Sequence, residues 1–329
     1  MTMQRRDFLR AGLGAAGGVA AGVGATSLLQ SGPAADGALS NPGAGRLALT
    51  AEGELVAVLA GSPATSPPPL PEQVRRGVPG RKWVMVIDLA ACDGCAKCVT
   101  ACGDAHFVPP DRQWLRIFQM KDSENGAPYW FPRPCFHCDD PPCTRVCPVS
   151  ATFKRQDGIV LVDSDRCIGC RFCMAACPYS VRTFNWGRPD NSPEAVARGY
   201  SPEWGYPRRV GTTEKCDFCP DMAREGKLPH CAGACPMGAI WFGDENEDAV
   251  SNGPDEAHAD SGQGAEAGAG PATRTVRLSQ LLRDKGGYRY LEDLGTKPRV
   301  YYLPPVNRRY PAPGEPDAKQ RPQAHEAQR

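Results

Sequence analysis

Apolar positions occur in short runs separated by glycine, proline and polar residues, rather than in long periodic stretches. The runs over residues 83–88, 158–163 and 239–243 are rich in branched and aromatic side chains, and each predicts a strand. The Gln-Asp-Gly sequence at 156–158 predicts a hairpin turn before the second of these strands. Leucines at helical spacing predict a helix within residues 276–294. These leucines are Leu278, Leu281 and Leu282.

The N-terminus carries paired arginines followed by a mildly apolar run. Residues 4–10 read Gln-Arg-Arg-Asp-Phe-Leu-Arg, and a stretch rich in glycine and alanine follows over residues 11–29. This pattern resembles a twin-arginine export signal, so we expect a periplasmic protein. A transmembrane anchor and a disordered tail are the alternatives, although so many glycines make a weak membrane span. Because residues 33–35 are not a clean cleavage site, removal of the signal and its retention as an anchor both stay open.

Composition narrows the choice of fold and partner. The formal net charge is +1, so no basic surplus exists to neutralise phosphates, and nucleic acid is not expected as a partner. The 329 residues include 36 glycines and 33 prolines, which favours a loop-rich body of short helices and short β-hairpins. We therefore expect the α+β class.

Sixteen cysteines fall into four groups of four. The groups are Cys92, Cys95, Cys98 and Cys102; Cys135, Cys138, Cys143 and Cys147; Cys167, Cys170, Cys173 and Cys177; and Cys216, Cys219, Cys231 and Cys235. The third group, followed by Pro178, has the spacing of bacterial [4Fe–4S] ferredoxins. The second and fourth groups lengthen one gap of the same run. Four groups of four predict four [4Fe–4S] clusters.

The spacing suits iron–sulfur chemistry because each cluster needs four thiolates. Two-residue gaps let one loop reach three irons, and in two-cluster ferredoxins the fourth cysteine ligates the other cluster. Disulfides and Cys₄ zinc sites are the alternatives. Disulfides are disfavoured because cysteines two residues apart rarely bridge each other. Zinc sites usually combine two separated pairs, so zinc suits the widely spaced fourth group better than the other three.

Loop length indicates how the groups pair. The segment between Cys147 and Cys167 is short and contains the predicted hairpin, so the second and third groups favour one compact two-cluster unit. The first and fourth groups would then pair around it. The expected fold is a tandem arrangement of bacterial-ferredoxin-type dicluster modules.

Several stretches resemble a known family. They are residues 92–95, 135–143, 167–179 and 294–303. Over residues 81–303 the chain resembles the four-cluster, ferredoxin-type electron-transfer subunits of dimethyl sulfoxide, polysulfide, tetrathionate and related molybdopterin oxidoreductases. The resemblance implies a nested set of cluster ligands. Quartet 1 is Cys92, Cys95, Cys98 and Cys235; quartet 2 is Cys216, Cys219, Cys231 and Cys102; quartet 3 is Cys135, Cys138, Cys143 and Cys177; and quartet 4 is Cys167, Cys170, Cys173 and Cys147.

The resemblance also implies a function. The chain is expected to relay single electrons through its clusters between a catalytic molybdopterin-type subunit and a quinone-interacting integral membrane subunit. A free-standing periplasmic polyferredoxin is the alternative. No nucleotide fingerprint and no phosphate-binding loop is present, so no catalytic residue is predicted. His137 and His230, which lie beside cysteines, are expected to have packing or supporting roles.

These patterns divide the chain into six segments. They are an export signal over residues 1–35, a Pro/Gly-rich linker over 36–80, the four-cluster ferredoxin domain over 81–243, a disordered acidic insertion over 244–272, a C-terminal helix and extension of the ferredoxin domain over 273–304, and a disordered tail over 305–329.

Replacing both Arg5 and Arg6 by lysine should leave folded, iron-loaded protein in the cytoplasm, because the export signal is predicted to require the arginine pair. Cell fractionation followed by immunoblotting measures the distribution. The control is Arg10→Lys, which changes a third arginine outside the pair. Unchanged export of the double variant would show that the signal assignment is wrong.

Overall fold

A computed structural model describes residues 46–49, 55–58, 71–253, 274–309 and 312–314. The strands are β1 (Arg46–Leu49), β2 (Leu55–Val58), β3 (Trp83–Asp88), β4 (Arg116–Met120), β5 (Tyr129–Arg133), β6 (Thr152–Lys154), β7 (Val160–Val162), β8 (Thr183–Phe184), β9 (Thr213–Glu214), β10 (Ile240–Asp244), β11 (Ala249–Asn252), β12 (Arg274–Arg277), β13 (Tyr288–Arg289) and β14 (Val300–Leu303). The α-helices are α1 (Pro71–Arg76), α2 (Lys97–Ala105), α3 (Pro142–Arg145), α4 (Phe172–Ala175), α5 (Pro193–Arg198), α6 (Pro220–Arg224), α7 (His230–Gly233) and α8 (Leu278–Lys285). Short 3₁₀ turns span Pro110–Arg112 and Glu292–Leu294.

The largest sheet has six strands in the order β12-β11-β10-β3-β14-β13. Strand β3 lies inside it, antiparallel to β10 and parallel to β14, and every residue of β3 is buried. Met85 and Ile87 pack into the main core, which also contains cysteines, while Val84 and Val86 pack on the opposite face with α8. Both faces of β3 are therefore covered, which explains its unbroken apolar run.

Four two-stranded hairpins complete the strands of the described residues: β1-β2, β4-β5, β6-β7 and β8-β9. The β6-β7 turn contains Gly158 at φ 86°, a left-handed conformation that glycine adopts without steric cost. Asp157 supports the same turn, because its carboxylate accepts hydrogen bonds from the backbone N–H groups of Ile159 and Val78. Helices and strands are both short, as expected for a loop-rich α+β protein.

The three predicted strands are observed as β3, β7 and β10, and the predicted hairpin turn precedes β7. The predicted helix is observed as α8, which contains all three leucines and ends at Lys285. Gly286 ends it in the left-handed conformation at φ 65°, and the Gly287 N–H donates to the Leu282 carbonyl at 2.7 Å. This is a common glycine-dependent helix ending.

The expectation of a disordered insertion over residues 244–272 is wrong at its start. Strand β11 lies there and pairs with β10 and β12. Val250 is buried against Trp241 and α8, and the Asp244 carboxylate accepts a hydrogen bond from the Lys82 N–H at 2.9 Å. The polar composition of this segment did not indicate that Val250 is buried or that the Asp244 carboxylate is paired. Residues 254–273 lie outside the described residues.

The two outer segments also contain structure that composition did not predict. In the expected linker, α1 buries Val74, and Arg75 pairs with Asp163 at 2.7 Å. In the expected disordered tail, Arg309 donates from its backbone to Ala90, and Arg308 donates to the carbonyl of Pro128. The predicted export signal lies outside the described residues.

The long segment before the fourth cysteine group is tied to the core by Arg208. Its guanidinium is fully buried and donates to Glu214 at 2.9 Å and to the backbone carbonyls of Phe107 and His106 at 2.7 Å. These contacts join the end of α2 to β9, the strand that leads into Cys216.

Within the described ranges, no helix is both long and apolar enough to span a bilayer.

Candidate iron-sulfur centres

The four cysteine groups share one local architecture. Each group follows a strand, and its third cysteine lies in a short helix. The first group follows β3, begins at Cys92 and has Cys98 in α2. The second follows β5, begins at Cys135 and has Cys143 in α3. The third follows β7, begins at Cys167 and has Cys173 in α4, and the fourth follows β9, begins at Cys216 and has Cys231 in α7. A strand–loop–helix unit therefore presents the first three thiols of each group from one stretch of backbone, and in the fourth group α6 is inserted between the second and third cysteines.

The loops also share a left-handed residue immediately before the second cysteine. These residues are Gly94 at φ 78°, His137 at φ 42°, Gly169 at φ 72° and Phe218 at φ 67°. Glycine adopts this conformation easily, whereas a large side chain does so only when its surroundings hold it there. His137 and Phe218 hold each other, because their buried rings stack with centroids 3.8 Å apart.

Three of the four quartets implied by the family resemblance each line one cavity. These are quartets 1, 3 and 4. In each, three cysteines come from one group and the fourth comes from the partner group. The structure thus places Cys235 with the first group, Cys177 with the second group and Cys147 with the third group.

Quartet 2 is also brought together, and all four of its cysteines are buried. Burial is the main cause that raises the pKa of the Cys102 thiol, and the charges of Cys216 and Cys231 raise it further. Burial likewise raises the pKa of Cys219, with further contributions from the charges of Cys231 and Cys102. Cys102 therefore lies with the fourth group rather than with its neighbours in sequence.

The quartets adjoin one another in the order 1, 2, 3, 4. Quartets 1 and 2 share α2, which carries both Cys98 and Cys102. Quartets 2 and 3 adjoin, since the charge of Cys135 adds to the effect of burial in raising the pKa of Cys216. Quartets 3 and 4 adjoin where Cys143 and Cys173 pack together with Val160.

Burial has a chemical consequence for the thiols. It raises the pKa of Cys92, of Cys138 and of Cys216 to about 12 in each case. Iron binding needs thiolates, so loading these sites must displace protons from the thiols. Backbone N–H groups already point at two of the sulfurs, from Ala151 to Cys147 at 3.2 Å and from Ala239 to Cys235 at 3.3 Å. Such donors stabilise thiolate charge.

The donor sets fit iron–sulfur cubes better than the alternatives. All sixteen cysteines are free in the structure, so the disulfide alternative has no geometric support. Zinc sites usually combine two separated pairs of ligands, whereas each of these three cavities combines three cysteines of one group with one of its partner group, which is the ferredoxin pattern. The ligation of iron by these sixteen residues nevertheless stays a prediction.

His137 has a packing role in the structure. Burial lowers its pKa well below the usual range, and its Nδ1 accepts a hydrogen bond from the Val160 N–H at 3.0 Å. The ring is therefore neutral, with its proton on Nε2.

Sequence reasoning missed three other side chains beside the cysteines. His106 Nε2 lies 3.3 Å from the Cys219 sulfur, and burial lowers the pKa of His106 to about 4, so this ring is neutral as well. Arg182 and Lys215 are buried near quartet 3. No local motif marks any of the three, because only the tertiary fold brings them to the sulfurs.

Comparison with known proteins places the chain in a family. Residues 127–191 match the 4Fe-4S dicluster domain family. The chain is 35% identical over 235 residues to a selenate reductase subunit of Mesobacillus selenatarsenatis, covering 68% of this chain and 72% of that protein. It is 37% identical over 256 residues to the iron-sulfur cluster-binding subunit of menaquinone reductase of Nitratidesulfovibrio vulgaris, covering 68% and 88%. The iron-sulfur subunit of a putative dimethyl sulfoxide reductase of Halobacterium salinarum is 37% identical over 234 residues, covering 67% and 78%.

The fold and the clustered thiols define an iron–sulfur electron-transfer protein. The chain belongs to the family of iron–sulfur subunits of selenate, dimethyl sulfoxide, tetrathionate and related molybdopterin oxidoreductases. The resemblance seen in the sequence is thereby confirmed. The chain is an electron-transfer subunit and not a catalytic one, since its relatives are the iron–sulfur subunits of their complexes.

Cys102→Ser should damage the centre at quartet 2 and spare quartet 1, although Cys102 belongs to the same sequence group as Cys92, Cys95 and Cys98. The physical reason is that Cys102 lies among Cys216, Cys219 and Cys231. The matched control on the same helix is Cys98→Ser, which should damage quartet 1. EPR of the reduced proteins, with iron counted per chain, distinguishes the two centres. If both variants lost the same signal, the nested arrangement would be wrong.

Proposed function

We propose that the chain conducts single electrons through four [4Fe–4S] clusters held by quartets 1 to 4, built as two interlocked bacterial-ferredoxin-type dicluster modules. Quartets 3 and 4 form the inner module, and quartets 1 and 2 form the module around it. When bound, such clusters supply one-electron redox chemistry, and the protein sets their spacing and potentials.

One observation carries this proposal: the quartets adjoin one another in the order 1, 2, 3, 4, the two inner quartets are mostly buried, and the two outer quartets approach the surface. All four cysteines of quartet 2 are buried, as are three of quartet 3. At one end, Cys95 of quartet 1 is exposed. At the other end, three cysteines of quartet 4 are partly exposed. A buried interior excludes solvent, while partly exposed ends allow exchange with other proteins. This is the arrangement that a relay requires.

An apolar surface surrounds the quartet 4 end, and we call it the quartet 4 patch. Its large exposed side chains are Ile168, Phe172, Trp186 and Val210, with Trp186 69% exposed and Ile168 63% exposed. Ile168 also lines the quartet 4 cavity, so the patch reaches the sulfurs themselves. The Arg171 guanidinium lies over the Trp186 ring, 4.6 Å from its centroid. Exposed apolar side chains gathered at one place favour an interface.

These features support a subunit docked at each end of the relay. We propose a catalytic molybdopterin-type subunit and a quinone-interacting integral membrane subunit as the two partners, with the complex exported by the twin-arginine route and membrane-associated on the periplasmic side. The relatives support this class of partner, since one is a subunit of a menaquinone reductase and another of a putative dimethyl sulfoxide reductase. The second candidate is a free periplasmic polyferredoxin, which the two partly exposed ends would also serve.

Affinity purification of the tagged full chain from detergent-solubilised membranes separates the two candidates. The proposal predicts recovery of a large molybdenum-containing chain and a membrane-embedded chain. Recovery of the chain only as a soluble monomer, with its iron in place, would favour the free polyferredoxin.

Trp186→Ser should weaken the association at the quartet 4 end without loss of iron. Burial of one large apolar side chain contributes about 1.5–3 kcal/mol, so the dissociation constant should rise by roughly tenfold or more. The conservative control is Trp186→Phe, which keeps an apolar ring on the same exposed site. The measurement is the amount of each partner recovered after increasing salt and detergent washes. Equal recovery from the serine and phenylalanine variants would show that the patch is not an interface.

A further inference from the structure

Two buried cations beside quartet 3 have no carboxylate partner among the described residues. They are Arg182 and Lys215, and each residue is only 4% exposed. A buried charge without a counter-charge is strongly unfavourable, so such groups are rare unless an anion lies nearby. Their surroundings therefore indicate where that anion would lie.

Arg182 lines the cavity of quartet 3 together with its four cysteines. One terminal nitrogen, Nη1, donates to the hydroxyl of Thr152 at 3.3 Å, and that hydroxyl is neutral. The other terminal nitrogen, Nη2, is buried and has no hydrogen-bond partner in the described parts of the chain. A guanidinium normally satisfies its donors with carboxylate or phosphate oxygens. In this cavity the guanidinium group instead lies beside the quartet 3 cysteines.

Lys215 lies between quartets 2 and 3. Its ammonium donates to the backbone carbonyl of Cys216 at 2.8 Å and to that of Val160. Both acceptors are neutral. The charge of Lys215 also reaches the buried carboxyl of Asp217, but burial raises the pKa of that group to about 7, and the two form no ion pair among the described residues. The charge of Lys215, like that of Arg182, lowers the pKa of the quartet 3 residue Cys143 against the effect of burial.

Other fully buried arginines of the chain are paired with carboxylates. Arg155 pairs with Asp157 at 2.6 Å and with Glu203 at 2.7 Å, and Arg208 pairs with Glu214 at 2.9 Å. The fold therefore provides counter-charges for its buried cations elsewhere. For Arg182, the groups that favour its charged form are instead Cys143, Cys173 and Cys135.

We propose that Arg182 and Lys215 are the counter-ions of the anionic centre held by quartet 3, and that they raise its reduction potential. This inference rests on the proposed function. The reduced centre carries one more negative charge than the oxidised centre, so a fixed cation stabilises the reduced form more. Two cations close to one quartet make it a preferred position for an electron in the middle of the relay. Both residues act on the quartet 3 centre through their charge, and neither is a ligand.

Potentiometric EPR of the full-length, iron-loaded chain tests the charge directly. The signal of quartet 3 is first assigned by its loss in Cys177→Ser. Arg182→Gln removes the charge and keeps a polar side chain, whereas Arg182→Lys keeps the charge. The glutamine variant should lower the midpoint potential of the quartet 3 signal, and the lysine variant should keep it close to the original value. Arg277→Gln is the control, since Arg277 is an exposed arginine paired with Asp248.

If Arg182→Gln loses its iron, Lys215→Gln and Lys215→Arg provide a second charge-removing and charge-preserving pair. Loss of iron in the charge-removing variants with retention in the charge-preserving variants would support the counter-ion role. An unchanged potential in iron-loaded Arg182→Gln and Lys215→Gln would overturn it, as would equal iron loss in all four variants. Failure of the proposed function is seen separately, as absence of four clusters in the unsubstituted protein.

Discussion

The requirement that four sulfurs from two distant parts of the chain meet at each centre is the constraint on which this fold depends. Cys235 must reach the loop that begins at Cys92, and Cys102 must reach the loop that begins at Cys216. The two outer groups therefore enclose the two inner groups. Short helices and two-residue to six-residue strands are sufficient secondary structure for this purpose, because the centres themselves would cross-link the loops. The six-stranded sheet then closes the outer module by pairing β3, which precedes Cys92, with β10, which follows Cys235.

Charge is the second requirement, because gathering thiolates in a buried interior is costly. Burial drives the thiols toward their protonated form and the charges of neighbouring cysteines add to this effect, as the pKa of about 12 for Cys138 shows. The chain offsets this cost with backbone N–H groups aimed at sulfur, such as that of Ala151, and with the buried cations Arg182 and Lys215. Elsewhere the interior neutralises its own charges, as in the pairing of Arg155 with Asp157. On the proposal made above, two buried cations beside quartet 3 would set its potential apart from those of centres with similar ligands.

Local sequence signals predicted the elements that depend on local chemistry. The strands at β3, β7 and β10, the turn at Gly158 and the beginning of α8 follow from apolar runs, turn residues and leucine spacing. Polar composition misled at β11, where Val250 is buried within a segment rich in acidic residues. The placement of His106, Arg182 and Lys215 beside sulfur could not be predicted, because each approaches its cysteines through contacts distant in sequence. The left-handed backbone conformations of His137 and Phe218 could not be predicted either, since they depend on stacking between two separate loops.

The most direct test of the central claim is the content of iron and acid-labile sulfide per chain in anaerobically purified protein, followed by a potentiometric EPR titration. Four [4Fe–4S] centres predict about sixteen irons and about sixteen sulfides, with several one-electron signals that interact with their neighbours. Low iron with bound zinc, or cysteines found as disulfides, would contradict the account and indicate a structural protein.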